Sequence, residues 1–419
     1  MSELVVDNFA GGGGASSGIE QALGRAVDFA INHDAEAVAM HRANHPTTRH
    51  LITNVWDVDP RKLAAGRPVG LGWFSPDCTF HSKARGGKPF RDRDQARRRR
   101  GLPWLIPYWM KTVRPRVVAL ENVEEFADWG PLLPDGSICP KRRGLTFRRW
   151  HRQIENLGYQ VDMREIRACD YGAPTTRRRL FVIARCDGEE IVFPEATHGR
   201  GLLPYRTASE CIDWSLPCPS IFGRKRPLAD ATMRRIARGV MRYVVNSPEP
   251  FIVPASNMAG AQNHALVAAF LARHYGGHKN DGSSLRTPMH TITTRDHHAL
   301  VCAFLVAYYG NEKDGISLAE PMRAVVTKDR FALIVVRGEP YYIADIGMRM
   351  LAPHELFAAQ GFRPDYITDH GIDESGDVLP LSGTARVRLC GNSVSPPAAE
   401  ALVKANYAEQ RIEAIEAAA

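Results

Sequence analysis

Long hydrophobic runs are missing from this sequence. The longest unbroken apolar stretch, Ala299 to Tyr309, falls well short of the roughly 18 residues a spanning helix needs, so no membrane span is expected. The opening Met1-Ser2-Glu3-Leu4 has no basic segment leading into an apolar one, and the expected location is the cytoplasm. Cysteine is sparse: the 8 thiols show no C-x-x-C spacing, which argues against a zinc site or a disulfide scaffold, and no metal is expected. The dinucleotide fingerprint G-x-G-x-x-G fails in register and G-x-x-x-x-G-K-[ST] is absent, so NAD and ATP lose ground as ligands. The D/N/S-P-P-Y/W/F string of enzymes that methylate exocyclic amines is also absent, because Ser75-Pro76 continues into Asp77-Cys78.

What remains is a mildly basic chain of 419 residues, 54 Lys+Arg against 46 Asp+Glu, with 44% hydrophobic content, enough for a sizeable core and two to three domains. Its first half alternates strand-like and helix-like stretches. Leu4 to Phe9, Val27 to Ile31, Val69 to Phe74, Arg116 to Glu121, Tyr159 to Ile166 and Leu180 to Ala184 read as strands. Ser16 to Leu23, capped by Ser16 or Ser17, Asp34 to Asn44 and Thr146 to Leu157 read as helices. This rhythm predicts an α/β sheet covered on both faces, with residues 1–195 as its main body. Beyond Phe193-Pro194 prolines punctuate short segments, predicting a loop-rich second domain. Within it His264 to Leu271 recurs as His298 to Leu305, a period of about 34 residues, read as a duplicated β-rich unit.

Four glycines, Gly11 to Gly14, follow the first strand and precede a helix, the arrangement that lets backbone approach a nucleotide-like cofactor. Asn32 and Asp34, just past the second strand, stand where a ribose-binding group is expected, although either also suits a helix cap. Cys78 follows a buried strand in a polar turn flanked by His81, Lys83 and Arg85, where cations would favour a thiolate. Glu121 sits at the carboxyl end of another strand, and Arg177 and Arg179 share a face at the start of a third. Read singly, each has a plainer meaning: a packed thiol, a helix-start carboxylate, a solvated edge.

As an ordered set these residues resemble the DNA (cytosine-5) methyltransferase family. The resemblance rests on Phe9-Ala10-Gly11, the cysteine after Ser75-Pro76-Asp77, Glu121-Asn122-Val123, Arg177 with Arg179, Arg349-x-Leu351-x-x-x-Glu355, Gln360-Gly361-Phe362 and Gly391-Asn392-Ser393-Val394. It covers almost the whole chain. The fold it implies is a Rossmann-like S-adenosylmethionine-dependent methyltransferase sheet over residues 1–195, a target-recognition domain over 196–340, and a return segment over 341–419 that completes the catalytic domain.

The chemistry it implies follows from the substrate. Carbon 5 of cytosine is a poor nucleophile until a thiolate adds to carbon 6, which would be the part of Cys78. Glu121 would donate to ring nitrogen 3 if burial raises its pKa, and Arg177 and Arg179 would hold the base and Glu121 in place. S-adenosylmethionine would be held by Phe9, Ala10, Gly11 and Gly13, with Asn32, Asp34 or Asp57 sharing contacts and Asn392 and Ser393 closing over it. Departures from the family pattern are Asp77 for proline, Thr79 and Thr175 for glutamine, and Asn32 for glutamate; a carboxylate beside the nucleophile opposes its ionisation.

A cytosine inside a duplex is unreachable unless it is swung out, so double-stranded DNA must be gripped and distorted. Lys83 to Arg100 resembles the family's mobile loop over DNA, with Ser82, Lys83, Arg85, Arg97 and Arg98 suited to phosphates. Base reading is expected from the repeat, where His290, Thr293, Thr294 and Arg295 stand beside Arg323, Thr327, Lys328 and Arg330. A monomer is expected, with a partner restriction endonuclease or none. The rival readings are an RNA cytosine-5 methyltransferase of the same fold and a catalytically silent DNA-binding regulator.

Overall fold

The computed structural model of the chain describes residues 2–82, 90–274, 282–295, 297–307 and 333–408. These fall into two compact units, one of residues 1–205, 290–294 and 357–419 and one of residues 206–289 and 295–356. No helix among the described residues is long and apolar enough to cross a membrane.

In the first unit the strands are β1 (Leu4–Asn8), β2 (Phe29–Asn32), β3 (Arg49–Ile52), β4 (Val69–Phe74), β5 (Val117–Asn122), β6 (Gln160–Arg167) and β7 (Arg178–Arg185). They form one sheet in the order β3-β2-β1-β4-β5-β7-β6. The first five run parallel, and β7 pairs antiparallel with both β5 and β6. Alternate residues feed two cores: Leu4 and Val6 enter one, Val5 the other. A strand covered on both faces is apolar over most of its length, as in residues 4–6, Val69–Phe74 and residues 117–120, with polar groups only at the strand ends. Edge strand β6 carries exposed Asp162, Arg164 and Glu165, charges that discourage further pairing.

The helices in the first part of this unit are α1 (Gly14–Leu23), α2 (Ala35–Asn44), α3 (Pro60–Ala64), α4 (Arg93–Arg100), α5 (Leu105–Val113) and α6 (Leu145–Asn156). Helix α1 begins earlier than the serines suggest. Its N-cap is Gly13 at φ 89°, with no side-chain cap. Ser16 and Ser17 lie inside the helix, and Ser16 Oγ donates to Asp7 Oδ2 at 2.8 Å. The left-handed turn that only glycine adopts freely replaces the expected serine cap.

The second unit holds an antiparallel sheet in the order β11-β12-β10-β9-β8, made of β8 (Ile252–Pro254), β9 (Leu266–Arg273), β10 (His298–Ala307), β11 (Leu333–Val336) and β12 (Glu339–Met350), with α7 (Asp230–Val240) packed on it. The duplicated segments are β9 and β10, and they pair with each other: Ala268 faces Ala303 and Ala269 faces Cys302. Because Ala268 corresponds to Cys302 in the repeat and Ala269 to Ala303, a local two-fold relates the copies. Two features depart from the expected division. A boundary at 340 would cut β12, whose ladder with β10 runs from Tyr341 to Met350. His290–Thr294 belongs to the first unit.

The chain returns through α8 (Pro353–Gln360), the hairpin of β13 (His370–Ile372) and β14 (Val378–Pro380), α9 (Gly383–Asn392) and α10 (Pro396–Asn406). Helices α1 and α10 lie close because Gly18 has no side chain: a Cβ there would stand 2.5 Å from the Pro396 carbonyl oxygen and 2.6 Å from Ala399 Cβ.

Candidate active site

Three strand ends of the first sheet bring the chemistry together. After β4 the chain turns through Ser75 to Ser82. Asn122 Nδ2 donates to the Pro76 carbonyl at 3.1 Å, Asp77 Oδ1 accepts the Thr79 amide at 2.7 Å, and the Cys78 carbonyl accepts the amides of His81 and Ser82 at 2.9 and 3.0 Å. The turn is thereby fixed, with Cys78 half-buried at its apex. His81 was expected to supply a neighbouring cation and does not. Its ring lies edge-on to Phe126 and Trp129, and burial lowers its pKa to about 3, so it is neutral at physiological pH. Lys83 and Arg85 lie outside the described residues.

Glu121, on β5, is buried, with Oε1 3.1 Å from Arg179 Nε and 4.0 Å from Arg177 Nη2. The shorter approach is a charge contact rather than an aligned hydrogen bond, since Glu121 Oε1, Arg177 Nε and Arg179 Nε are all buried without a hydrogen-bond partner. Such atoms remain able to bond an incoming group. Arg177 Nη1 donates to the carbonyls of Ile292 and Gly391 at 3.1 Å each, tying β7 to residues far away in sequence. Burial lowers the Arg177 pKa to about 10, and Arg179 beside it acts in the same direction. Burial also pushes the Cys78 thiol above its ordinary value; Arg179 and Arg177 pull it down, while Glu121 and Asp77 push it further up. The cations that favour a thiolate are thus the two arginines across the sheet.

Beside this cluster is the glycine turn. Phe9, Gly11 and Gly13 all have positive φ, at 66°, 54° and 89°. A Cβ on Gly11 would meet only the Phe9 carbonyl oxygen at 3.8 Å, so the space over that peptide is open. Gly14 is different, since a Cβ there would stand 2.1 Å from the Val394 carbonyl oxygen and 2.2 Å from Ser393 Oγ. The segment after α9 is therefore seated on the turn. Ala10 donates to the Ile31 carbonyl, and exposed Asn392 ends α9. Asp7 Oδ1, both amide atoms of Asn8 and Ser393 Oγ are buried here without a hydrogen-bond partner. An open peptide rimmed by orphaned polar atoms fits a polar ligand such as an amino-acid-bearing nucleoside.

The other expected cofactor residues have different surroundings. Asp34 Oδ1 caps α2 by accepting the Glu36 and Ala37 amides, and its Oδ2 is paired with Arg388. Asn32 Oδ1 accepts the Asp34 amide at 2.9 Å. Asp57 is exposed on the short turn Val55–Asp57. The arginine run also divides: Arg97 and Arg98 are exposed, Arg99 pairs with Asp77, and buried Arg100 donates to the carbonyls of Phe80 and Gly130. Arg295 is exposed, whereas Arg323, Thr327, Lys328 and Arg330 lie outside the described residues.

A polar network behind the glycine turn has no counterpart in the sequence reading. Ser16 Oγ joins Asp7 to His41, whose other ring nitrogen is 2.9 Å from His50. His45 contacts Glu20 at 2.7 Å, and Tyr366 donates its hydroxyl to the Gly12 carbonyl. Burial, reinforced by the neighbouring rings, pushes His41 well below its usual range. The signal available was modest: His41 and His45 are four apart, on one face of α2.

These elements define a class: a mixed, mostly parallel sheet bearing a thiol, a carboxylate and two arginines beside a glycine-rich turn. Residues 4–407 match the family model for C-5 cytosine-specific DNA methylase, and the chain belongs to that family. Among curated relatives, it is 30% identical over 201 residues to the Type II methyltransferase M.AgeI of Thalassovita gelatinovora, covering 47% of this chain and 42% of that one. It is 28% identical over 204 residues to DNA (cytosine-5)-methyltransferase 1 of Mus musculus, covering 46% and 12%. The matches to the first relatives span about half their length or less. Among solved structures, Spodoptera frugiperda DNMT2 shares the fold at a TM-score of 0.54 and 14% identity, covering 96% of this chain and 99% of that one. Entamoeba histolytica methyltransferase EhMeth does so at 0.51 and 13%, covering 96% and 97%.

Proposed function

We propose that this protein transfers a methyl group from S-adenosylmethionine to carbon 5 of a cytosine extruded from duplex DNA. The observation that carries the reading is the convergence of Cys78, Glu121, Arg177 and Arg179, drawn from three strand ends, next to a glycine turn with open space over Gly11.

In this reading the Cys78 thiolate forms a bond to carbon 6, and the ring electrons displaced toward nitrogen 3 are met by a proton or hydrogen bond from Glu121. Arg179 fixes Glu121 and faces the base, while Arg177 braces the site through Ile292 and Gly391. S-adenosylmethionine supplies an electrophilic methyl group. The Gly11 peptide, Phe9, the orphaned atoms of Asp7 and Asn8, and Ser393 would hold its amino-acid and sulfonium end. Asp34 serves to cap α2, leaving ribose contacts to Asn32 or Asp57. Carbon 5 would take that methyl group, the donor leaving as its neutral thioether, and loss of the carbon 5 proton to water would then restore the double bond as the sulfur–carbon bond breaks, freeing Cys78 as the thiolate.

Exposed Arg97 and Arg98 suit DNA phosphates, and Arg295 suits a contact in the recognition unit. Relatives named as type II methyltransferases support a modification role, with a partner restriction endonuclease or none. The chain is expected to act as a monomer in the cytoplasm. The test is methyl transfer to duplex DNA against tRNA, with bisulfite sequencing of the product and trapping on duplex DNA containing 5-fluorocytosine. Methylated DNA and an adduct on the peptide carrying Cys78 are expected; transfer to tRNA alone, or no adduct on DNA that binds, would overturn the reading.

A further inference from the structure

Asp77 stands immediately before Cys78, where a negative charge opposes formation of a thiolate. Its two oxygens have separate tasks. Oδ1 accepts the Thr79 amide at 2.7 Å and closes the turn, whereas Oδ2 lies 2.8 Å from Arg99 Nη1. Arg99 belongs to α4, which is anchored by the next residue: Arg100 donates to the Phe80 and Gly130 carbonyls at 3.0 Å each. The anchor holds one guanidinium over the Asp77 carboxylate while Arg97 and Arg98 face solvent.

We propose that Arg99 is a positioning residue for the nucleophile: by cancelling the charge of Asp77 it keeps Cys78 easier to ionise, which makes α4 part of the electrostatic surroundings of the thiol. This rests on the reading of Cys78 as the nucleophile. Opposite charges in contact act at a distance as a dipole, whose field weakens faster than that of a lone carboxylate; without Arg99 the lone carboxylate remains. The other charges facing Cys78 are Arg179 and Arg177 from β7 and its approach, and Glu121 from β5, none of which touches Asp77. Arg99 is 41% exposed and Asp77 23%, so solvent screens the pair and the effect is modest.

The test is alkylation of Cys78 by iodoacetamide as a function of pH, read by mass on the peptide carrying that residue. The thiolate sulfur displaces iodide and forms the carbon–sulfur bond, the thiol proton having gone to buffer, so the rate follows the thiolate fraction. With the full chain, and without DNA or methyl donor, Arg99→Gln should raise the midpoint by about half a pH unit. Arg99→Lys, which keeps the charge, should stay within about 0.2 unit of the parent, and Asp77→Asn should lower the midpoint by about as much as Arg99→Gln raises it. The double variant Asp77→Asn/Arg99→Gln should return close to the parent. An unmoved midpoint in Arg99→Gln overturns the proposal. So does a double variant as perturbed as Arg99→Gln alone, because that pattern belongs to a helix that has only come loose. Methyl transfer by the unsubstituted chain tests the assignment of Cys78 separately, since alkylation needs neither substrate.

Discussion

In the proposed reaction Glu121 would act on Cys78 and on the base in opposite senses. Its charge opposes ionisation of the thiol, yet its carboxyl would be the group that meets the pyrimidine ring. Glu121→Gln should therefore speed alkylation of Cys78 at pH 7 while slowing methyl transfer by about 100-fold or more, the usual scale of a general acid. A parallel fall in both rates would instead mean a collapsed site. Asp7 offers a second test at this scale. Burial lifts its carboxyl from 3.8 to about 7, partly opposed by the Ser16 hydroxyl. A raised acid contributes stability that is full below pH 3.8 and is lost as pH rises through about 7. The span corresponds to roughly 4 kcal/mol. In urea unfolding the parent should weaken as pH rises from about 4 to about 7, and Asp7→Asn should flatten that trend.

Helix α1 shows two forces of opposite sign at one position. Replacing Gly18 by alanine would favour an isolated helix by about 1 kcal/mol. Here the added methyl would meet the Pro396 carbonyl oxygen at 2.5 Å and Ala399 at 2.6 Å, and α10 would have to retreat. Overpacking of that kind costs about 1–3 kcal/mol, so Gly18→Ala should lower the melting temperature despite its better helix propensity. A raised melting temperature would show that α10 yields without loss.

Across the first unit, Arg116 at the start of β5 gathers distant parts of the chain. It bonds Glu3 at 2.7 and 2.9 Å, Asp187 at 3.1 Å and the Ala408 carbonyl at 2.7 Å, and stacks over Tyr407. Glu3 is buried, so Arg116→Met would remove both guanidinium hydrogen bonds to its carboxylate, at a cost of about 3 kcal/mol measurable by denaturant unfolding. Arg185 and Arg116 together hold Asp187 down to about 2. A lowered acid contributes stability that is full above its unfolded value of 3.8 and is lost as pH falls through about 2, so acid unfolding of the parent should deepen in that window.

The order of the chemical groups and the strands that carry them were legible in the sequence because both are local. An apolar run such as Val69–Phe74 predicts its own burial, and the Glu121-Asn122-Val123 string identifies itself wherever the sheet places it. The cap of α1 was misread because a left-handed glycine and a serine both suit a helix start, and only the close seat of Ser393 and Val394 on Gly14 selects between them. Asp34 resembled a ribose ligand until Arg388, 354 residues away, claimed it. Four consecutive arginines look alike in a string, but α4 turns Arg97 and Arg98 outward, sets the half-exposed Arg99 against Asp77 and buries Arg100. The sequence by itself determined which groups exist and which secondary elements hold them. Only tertiary structure decided which charges are already neutralised, because a side chain's partner depends on what the fold brings within about 3–4 Å, the range of hydrogen bonds and ion pairs.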